Sequence, residues 1–328
     1  MTEQDLKRKA PGRLMPVTIR SRLLLEVASE LSGDKEQPYQ QASVQLHIPN
    51  TGGTRPLTMI SSNAFSGIHA VAKGEADLAM TNPCSSLALA VRGKGVFKEP
   101  LPVAAIGIIP SYDVCLFAAR PETGLAAVEE IAAKRPKLAL SLRGQADHWI
   151  NFLFDDIAAV TGFSLADIER WGGEWRKEGW VPFTHSERYQ QLISGRFDAM
   201  FDESANSWCD QAAEAGMRIL TLSEATVQKL EAMGYRRGLL LKELYPHLPH
   251  DILTIEFSGW PVIVHADAPD DVVTHICAAF DARKDRIAWQ GFGPLPVERW
   301  ARDNIDTPLL FPIHPAAERY WRSRGYLD

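Results

Sequence analysis

The sequence predicts an α/β fold of two Rossmann-like lobes with a central cleft, and two observations carry that expectation. One motif occurs twice, as Gly74-Glu-Ala-Asp-Leu-Ala-Met80 and as Gly195-Arg-Phe-Asp-Ala-Met-Phe201. In both copies an amphipathic helix ends at Gly, an Asp follows, and a short apolar run begins. Gly closes helices in the left-handed conformation. An apolar run without alternation reads as a buried parallel strand. After each run the chain turns polar, through Thr81-Asn-Pro-Cys-Ser-Ser86 and Asp202-Glu-Ser-Ala-Asn206. Those stretches are then the carboxyl ends of strands, where open α/β sheets place their ligands. A chain of 328 residues is long enough for two domains with cores of their own.

Taken in order, Pro16–Ile19 reads as a first strand and Leu23–Leu31 as a helix ending at Gly33. Between them, Arg20, Ser21 and Arg22 set two guanidiniums at a helix start, a sensible anion site. Val44–Ile48 alternates as a second strand and opens into Asn50-Thr-Gly-Gly-Thr54. A backbone without Cβ atoms at Gly52 and Gly53 can approach a ligand closely. A helix at about residues 63–73 leads into the first Gly motif. Strands at 103–109 and 114–118 flank Pro110-Ser-Tyr-Asp113, the expected crossing into a second lobe. There a helix at 126–135 and a strand at 137–140 open into Ser141-Leu-Arg-Gly-Gln-Ala-Asp-His148 and a long helix. Arg143 with the amides around Gly144 repeats the pattern of strand end, cation and helix start. Trp171, Trp175 and Trp180 crowd a glycine-containing stretch and read as lining a cleft, as a subunit contact or as packing under a loop, with packing or an interface the favoured expectation. A helix at 186–194 carries the second Gly motif, and further helices at 204–215 and 223–233 surround a strand at 218–222. Strands at 252–257 and 261–265 flank Ser258-Gly-Trp260 and return the chain. The expected division is therefore residues 1–110 plus 256–328 against residues 111–255.

Several function classes are excluded. The net charge of −6, without a basic run interleaved with aromatics, does not imply nucleic acid. The longest apolar stretch, Leu101–Ile109, is too short to span a membrane. There is no GxGxxG, no GxxxxGK[ST] and no GxSxG, so no cofactor is implied. His247 and His250 are separated by Leu248 and Pro249, which spoils helical metal spacing, so no metal is expected. The cysteines at 84, 115, 209 and 277 form no CxxC pair, which suits a reducing compartment. Pro11-Gly12 follows Lys7-Arg-Lys9 where a signal peptide would need its apolar region. The expectation is a cytoplasmic protein as written, or a periplasmic one if a leader has been removed.

The order of Thr51-Gly-Gly53, Gly74–Ala79, Ser194-Gly-Arg-Phe-Asp-Ala199, Ala266-Asp-Ala-Pro-Asp-Asp-Val272 and Ile313-His-Pro-Ala-Ala-Glu-Arg-Tyr320 resembles the substrate-binding subunits of TAXI-type TRAP transporters. That resemblance covers nearly the whole chain after about residue 16. It implies the type II periplasmic binding-protein fold, a small-molecule ligand between the lobes, and transporter membrane subunits or a homodimer as partners. Two departures stand out: Arg20-Ser-Arg22 replaces the family's usual Gly/Thr-rich loop, and no secretion signal is visible.

A small carboxylate is thus the expected ligand. The expected contacts are Arg20, Ser21, Arg22, Thr51, Gly52, Gly53, Asn82, Ser85, Arg143, Gly144, Gln145, Glu203, Asn206 and Trp260. The alternative is a cytoplasmic enzyme on the same scaffold, a decarboxylase or lyase acting on an aromatic or cyclic carboxylate, as the resemblance to that superfamily allows for some of its signal-less members. Its candidate acid–base or nucleophilic groups are His148, Glu203 and Cys84. Turnover itself stays open.

Overall fold

The computed structural model describes residues 27, 42–46, 56–61 and 64–328. By its internal contacts the chain forms two compact units, Met1–Gln40 and Gln41–Asp328. In the first, Val27 alone is described, helical and exposed. The expected first strand and helix, Arg20, Ser21, Arg22, and Thr51, Gly52 and Gly53 all lie outside the described residues.

In the second unit the strands are β1 (Ala42–Leu46), β2 (Leu57–Ser61), β3 (Leu78–Met80), β4 (Val103–Ile109), β5 (Leu116–Ala119), β6 (Ala139–Arg143), β7 (Glu174–Glu178), β8 (Ala199–Asp202), β9 (Arg218–Leu220), β10 (Arg237–Leu240), β11 (Ile252–Ile255) and β12 (Trp260–His265). The helices are α1 (Ser66–Ala72), α2 (Cys84–Arg92), α3 (Glu129–Lys134), α4 (Trp149–Thr161), α5 (Leu165–Arg170), α6 (Glu187–Ile193), α7 (Ala205–Glu214), α8 (Glu224–Met233), α9 (Asp270–Arg283) and α10 (Pro315–Ser323). One five-stranded sheet runs β1-β2-β3-β12-β4 and the other β7-β6-β8-β5-β9, with β10-β11 as a separate pair. Each large sheet is mixed: β2 and β3 run parallel, as do β6 and β8, while β12 and β5 enter antiparallel. The expected α/β architecture on two sheets is the observed one.

The repeated motif has the same physical meaning in both lobes. Gly74 and Gly195 take φ values of +70° and +84°, the left-handed turn that stops α1 and α6. The Asp that follows then locks its strand to the next. Asp77 N–H donates to Thr58 O while the Asp77 carboxylate accepts from Thr58 N, both at 2.8 Å. Asp198 repeats this with Ala139, again at 2.8 Å both ways. A carboxylate is needed because it accepts where the ladder would otherwise leave a backbone donor unpaired.

Two crossings join the sheets side by side. Cys115 N–H donates to Ile255 O, Phe257 N–H to Asp113 O, and Gly259 N–H to Ser111 O, at 2.8–3.0 Å. The Ser258 hydroxyl accepts from Asp113 N at 2.9 Å and donates to Asp113 O at 2.9 Å. Gly259 sits at φ +77°, and a Cβ there would lie 2.4 Å from the Cys84 sulfur.

Several elements differ from the sequence reading. Cys84–Arg92 is a helix, its buried face reading Cys84, Leu87 and Ala88 at helical spacing, where only a polar strand end was expected. Glu174–Glu178 is an edge strand inside the tryptophan-rich stretch, paired with β6 alone. Its charged, half-exposed residues give no apolar run to betray it. Leu57–Ser61, Leu165–Arg170 and Arg237–Leu240 were also not anticipated; the first pairs with both β1 and β3.

Candidate functional site

Because β6 and β8 pair in parallel, their carboxyl ends lie side by side. Arg143 is the last residue of β6 and Asp202 the last of β8, with Glu203 next. The Arg143 guanidinium is fully buried. It donates from Nε and Nη2 to Asp202, and from Nη2 to Glu203 at 2.9 Å. Its Nη1 is buried with no partner among the described residues. The Trp180 ring lies over it, 4.8 Å from the guanidinium carbon, a favourable cation–π arrangement.

A second buried arginine braces the first. Arg188, from α6, donates to Ser141 Oγ at 2.8 Å, to Trp180 O at 2.9 Å, to Phe201 O at 3.3 Å, and to the Asp202 carboxylate. One carboxylate therefore joins two guanidiniums, and Arg188 also holds the backbone that carries Trp180. Burial alone would push Asp202 up, but Arg143 and Arg188 outweigh it and hold it below the ordinary range. Burial raises Glu203 to about 7, opposed by Arg143 and reinforced by Asp202. Asp113, from the first crossing, accepts from Ser204 N at 2.9 Å; burial and the nearby Glu203 push it well up.

His148 is the N-cap of α4, its Nδ1 accepting from Ile150 N at 3.2 Å. The imidazole is thus neutral with its proton on Nε2, 3.6 Å from Glu203 Oε1. Burial, then Arg143, hold it well below its ordinary value. Its ring stacks on Phe257 of the second crossing at 6.0 Å. The neighbouring Trp149 donates from Nε1 to Thr81 Oγ1 at 3.1 Å, reaching the polar end of β3. The cluster therefore stands where the ends of β3, β6 and β8 and the crossings meet.

The model of the NMT1-like family matches residues 47–325. The chain belongs to the NMT1-like family. No curated protein matches it. Among solved structures it is similar to a protein from Bordetella bronchiseptica RB50, at 11% identity and a TM-score of 0.36, covering 81% of this chain and 69% of that one. It is also similar to a TctC solute binding protein from Polaromonas, at 16% identity and a TM-score of 0.32, covering 62% and 63%. The periplasmic binding protein BugD is similar at 13% identity and a TM-score of 0.36, covering 66% of each chain. The aligned parts thus span less than two thirds of the TctC and BugD proteins.

Within this NMT1-like chain the residues singled out by sequence part company. Arg143, Glu203 and His148 come together, and Gln145 is buried close by, its backbone O accepting from Asn151 Nδ2 at 2.7 Å. His148 caps its helix and does not sit one turn inside it, because its ring nitrogen satisfies an amide the helix leaves open. Gly144 does not offer its amide to a ligand. Its N–H donates to Gly179 O at 3.0 Å, and a Cβ would lie 2.8 Å from Gly179, so glycine serves close backbone approach. The Asn82 amide is engaged too, donating to Gly259 O at 3.2 Å and fastening β3 to the second crossing. Ser85 is buried near the start of α2, its hydroxyl without a partner among the described residues. Asn206 is exposed on α7, and Trp260 packs at the end of β12 against the core of the first sheet. Cys84 is a poor candidate nucleophile: its thiol is fully buried, and burial followed by Glu256 pushes it well up.

The sequence reading missed Arg188, Asp113 and the role of Trp180. Arg188 carried a usable signal, since it stands four residues before Leu192 on the buried face of α6. Among the described residues no cluster of His, Cys, Asp and Glu could hold a metal ion, and no helix is long and apolar enough to cross a membrane.

Proposed function

We propose that this NMT1-like chain is a solute-binding receptor that takes a small carboxylate between its lobes, in the manner of TAXI-type TRAP subunits. The observation that carries the reading is the Arg143 Nη1 edge: a buried guanidinium nitrogen with no partner among the described residues, at the end of β6. A buried donor without a partner costs on the order of 1–3 kcal/mol, and a ligand carboxylate would recover it. The indole of Trp180, over the guanidinium, is a supporting group for such a ligand. On this reading the lobes divide at the crossings, near residues 110–115 and 256–259, and transporter membrane subunits are the partners.

The test is calorimetric titration of the purified protein with acetate, succinate and benzoate, beside Arg143→Lys. Lysine keeps a positive charge for Asp202 and Glu203 but puts one nitrogen in place of three, so Nη1 is lost together with one of the Nε and Nη2 contacts. A charge-assisted hydrogen bond of about 1.5–3 kcal/mol corresponds to a loss of roughly 10- to 150-fold in affinity. Equal affinity in the variant, with its unliganded melting temperature preserved, would remove the Nη1 edge from the site.

A second reading, turnover of the bound carboxylate, is favoured by one arrangement. Glu203, raised to about 7, has its Oε1 3.6 Å from His148 Nε2, which gives a buried pair able to hold or pass a proton near neutral pH. Mass spectrometry of the ligand after prolonged incubation separates the readings: an unchanged ligand supports the receptor.

A further inference from the structure

The buried cluster is already crowded with acids. Among the described residues two guanidiniums, Arg143 and Arg188, pair with the carboxylates of Asp202 and Glu203, and the Asp113 carboxyl stands beside Glu203. His148 adds no charge, because its Nδ1 is committed as an acceptor to Ile150 N. A ligand carboxylate on Nη1 would bring a fourth acid against two cations in a water-poor site. Buried charge without compensation is expensive, and the usual resolution is neutralisation by a proton.

The hydrogen bonds single out which acid takes it. Asp202 accepts from both guanidiniums and from Glu203 N, so protonating it would break the brace between β6 and β8. Asp113 is already held well up by burial and by Glu203, and its oxygens accept from Val114 N and Ser204 N, so it has less to gain from a further proton. Among the described residues Glu203 has a single guanidinium contact, through one oxygen, at 2.9 Å. Around it stand Arg143 from β6, His148 from the cap of α4, Asp202 on its own strand, Asp113 from the first crossing, and Arg188 of α6 behind Asp202. Its carboxylate already occupies the Nη2 side of the guanidinium, as a ligand carboxylate would occupy the Nη1 side.

We propose that a carboxylate binds at Arg143 with uptake of one proton from solvent by Glu203, so that Glu203 sets the pH dependence of ligand affinity. The balance is simple: the Glu203 carboxylate and a buffer proton become a carboxylic acid, and no bond to the ligand forms or breaks. This rests on the carboxylate-binding reading above and goes beyond it. Since Glu203 titrates near 7 without ligand, uptake is small at pH 6 and approaches one proton by pH 8. Affinity is flat below that point and weakens about tenfold per pH unit above it.

The experiment is calorimetry with benzoate and succinate at pH 6 and pH 8, in paired buffers of low and high ionisation enthalpy, which count protons directly. The expected result is uptake at pH 8 with weaker binding, and loss of both the uptake and the pH slope in Glu203→Gln. Binding without uptake at pH 8 overturns the proton coupling and leaves the carboxylate reading intact. Uptake that persists in Glu203→Gln and vanishes in Asp113→Asn overturns the assignment to Glu203. No binding of any carboxylate at either pH overturns the receptor reading and this inference with it.

Discussion

Replacing Arg188 by Met is the sharpest test of how the site is held. Methionine fills much of the arginine stem's volume, so the change removes charge and donors more than it opens a cavity. It deletes one of the two guanidiniums on Asp202 and leaves Ser141 Oγ, Trp180 O and Phe201 O without that donor. All of this happens inside the protein, where Arg188 is 3% exposed and Asp202 fully buried. Breaking a buried pair from one side costs about 3–5 kcal/mol. Part of the loss returns because Asp202 keeps Arg143, so the lower end, about 3 kcal/mol, is the expected value. For a unit of this size that corresponds to roughly 5 °C in melting temperature. The assay is thermal unfolding by far-ultraviolet circular dichroism at pH 7, with Arg218→Met as a control on an exposed site. A loss under about 1 kcal/mol would refute the bracing argument. It would mean that Arg143 alone suffices for Asp202.

Three further outcomes follow from the same geometry. Asp77→Ala and Asp198→Ala should each lower stability by about 1–2 kcal/mol and by similar amounts, since each unpairs one backbone N–H; urea midpoints check both the size and the equality. Gly259→Ala should cost more than Gly74→Ala, because both need positive φ but only at Gly259 does a Cβ meet Cys84, Ile108 and Pro308; the same urea midpoints rank them. Burial raises Glu256 to about 7, against the opposing Arg236, so its folded form holds a proton that the unfolded chain releases from about pH 4.3 upward. That group's contribution is fully present below the unfolded value and is lost as pH rises towards 7. Glu256→Gln should therefore flatten the fall in melting temperature between pH 5 and pH 8.

The parts of the fold legible in the sequence were those where backbone geometry demands a particular residue. Gly74 and Gly195 must turn left-handed, and Asp77 and Asp198 must accept a ladder donor, so both lobes announced themselves locally. Arg143 was legible for the same reason, as a cation at a strand end. What it pairs with was not. Asp202, one residue before Glu203, turned out to be the charge that fixes it, through contact 59 residues away along the chain. Arg188 and Asp113 reach the cluster from a helix face and a crossing, positions that no spacing rule connects to a strand end. Gly144 and Asn82 were read as ligand groups because glycine and amides at strand ends suit ligands. They serve backbone approach and fastening there instead, and only tertiary contact separates the two uses. Charged edge strands such as β7 escape a periodicity reading altogether.

The packing between the sheets bears on how a ligand would reach Arg143. A seam of rings joins the two halves: Phe65 lies 6.4 Å from Trp149 and 5.1 Å from Phe152, and Phe97 lies 5.8 Å from Trp149. The Trp149–Thr81 hydrogen bond reinforces it, and one apolar core runs through α2 and α4 together. Each aromatic side chain buries roughly 150–250 Å² and contributes on the order of 1.5–3 kcal/mol when covered. Parting the halves at the crossings would uncover several of these rings at once, which no single carboxylate contact offsets. Trp180 is different. It is half-buried, its ring covers Arg143, and it follows Gly179, whose φ is +66°. Displacing one indole sacrifices a cation–π contact of about 0.5–2 kcal/mol, well below the cost of opening the seam. The side of the cluster under Trp180 is therefore the low-cost approach to the guanidinium. By fixing the Trp180 carbonyl, Arg188 governs that approach as well as the charge of Asp202.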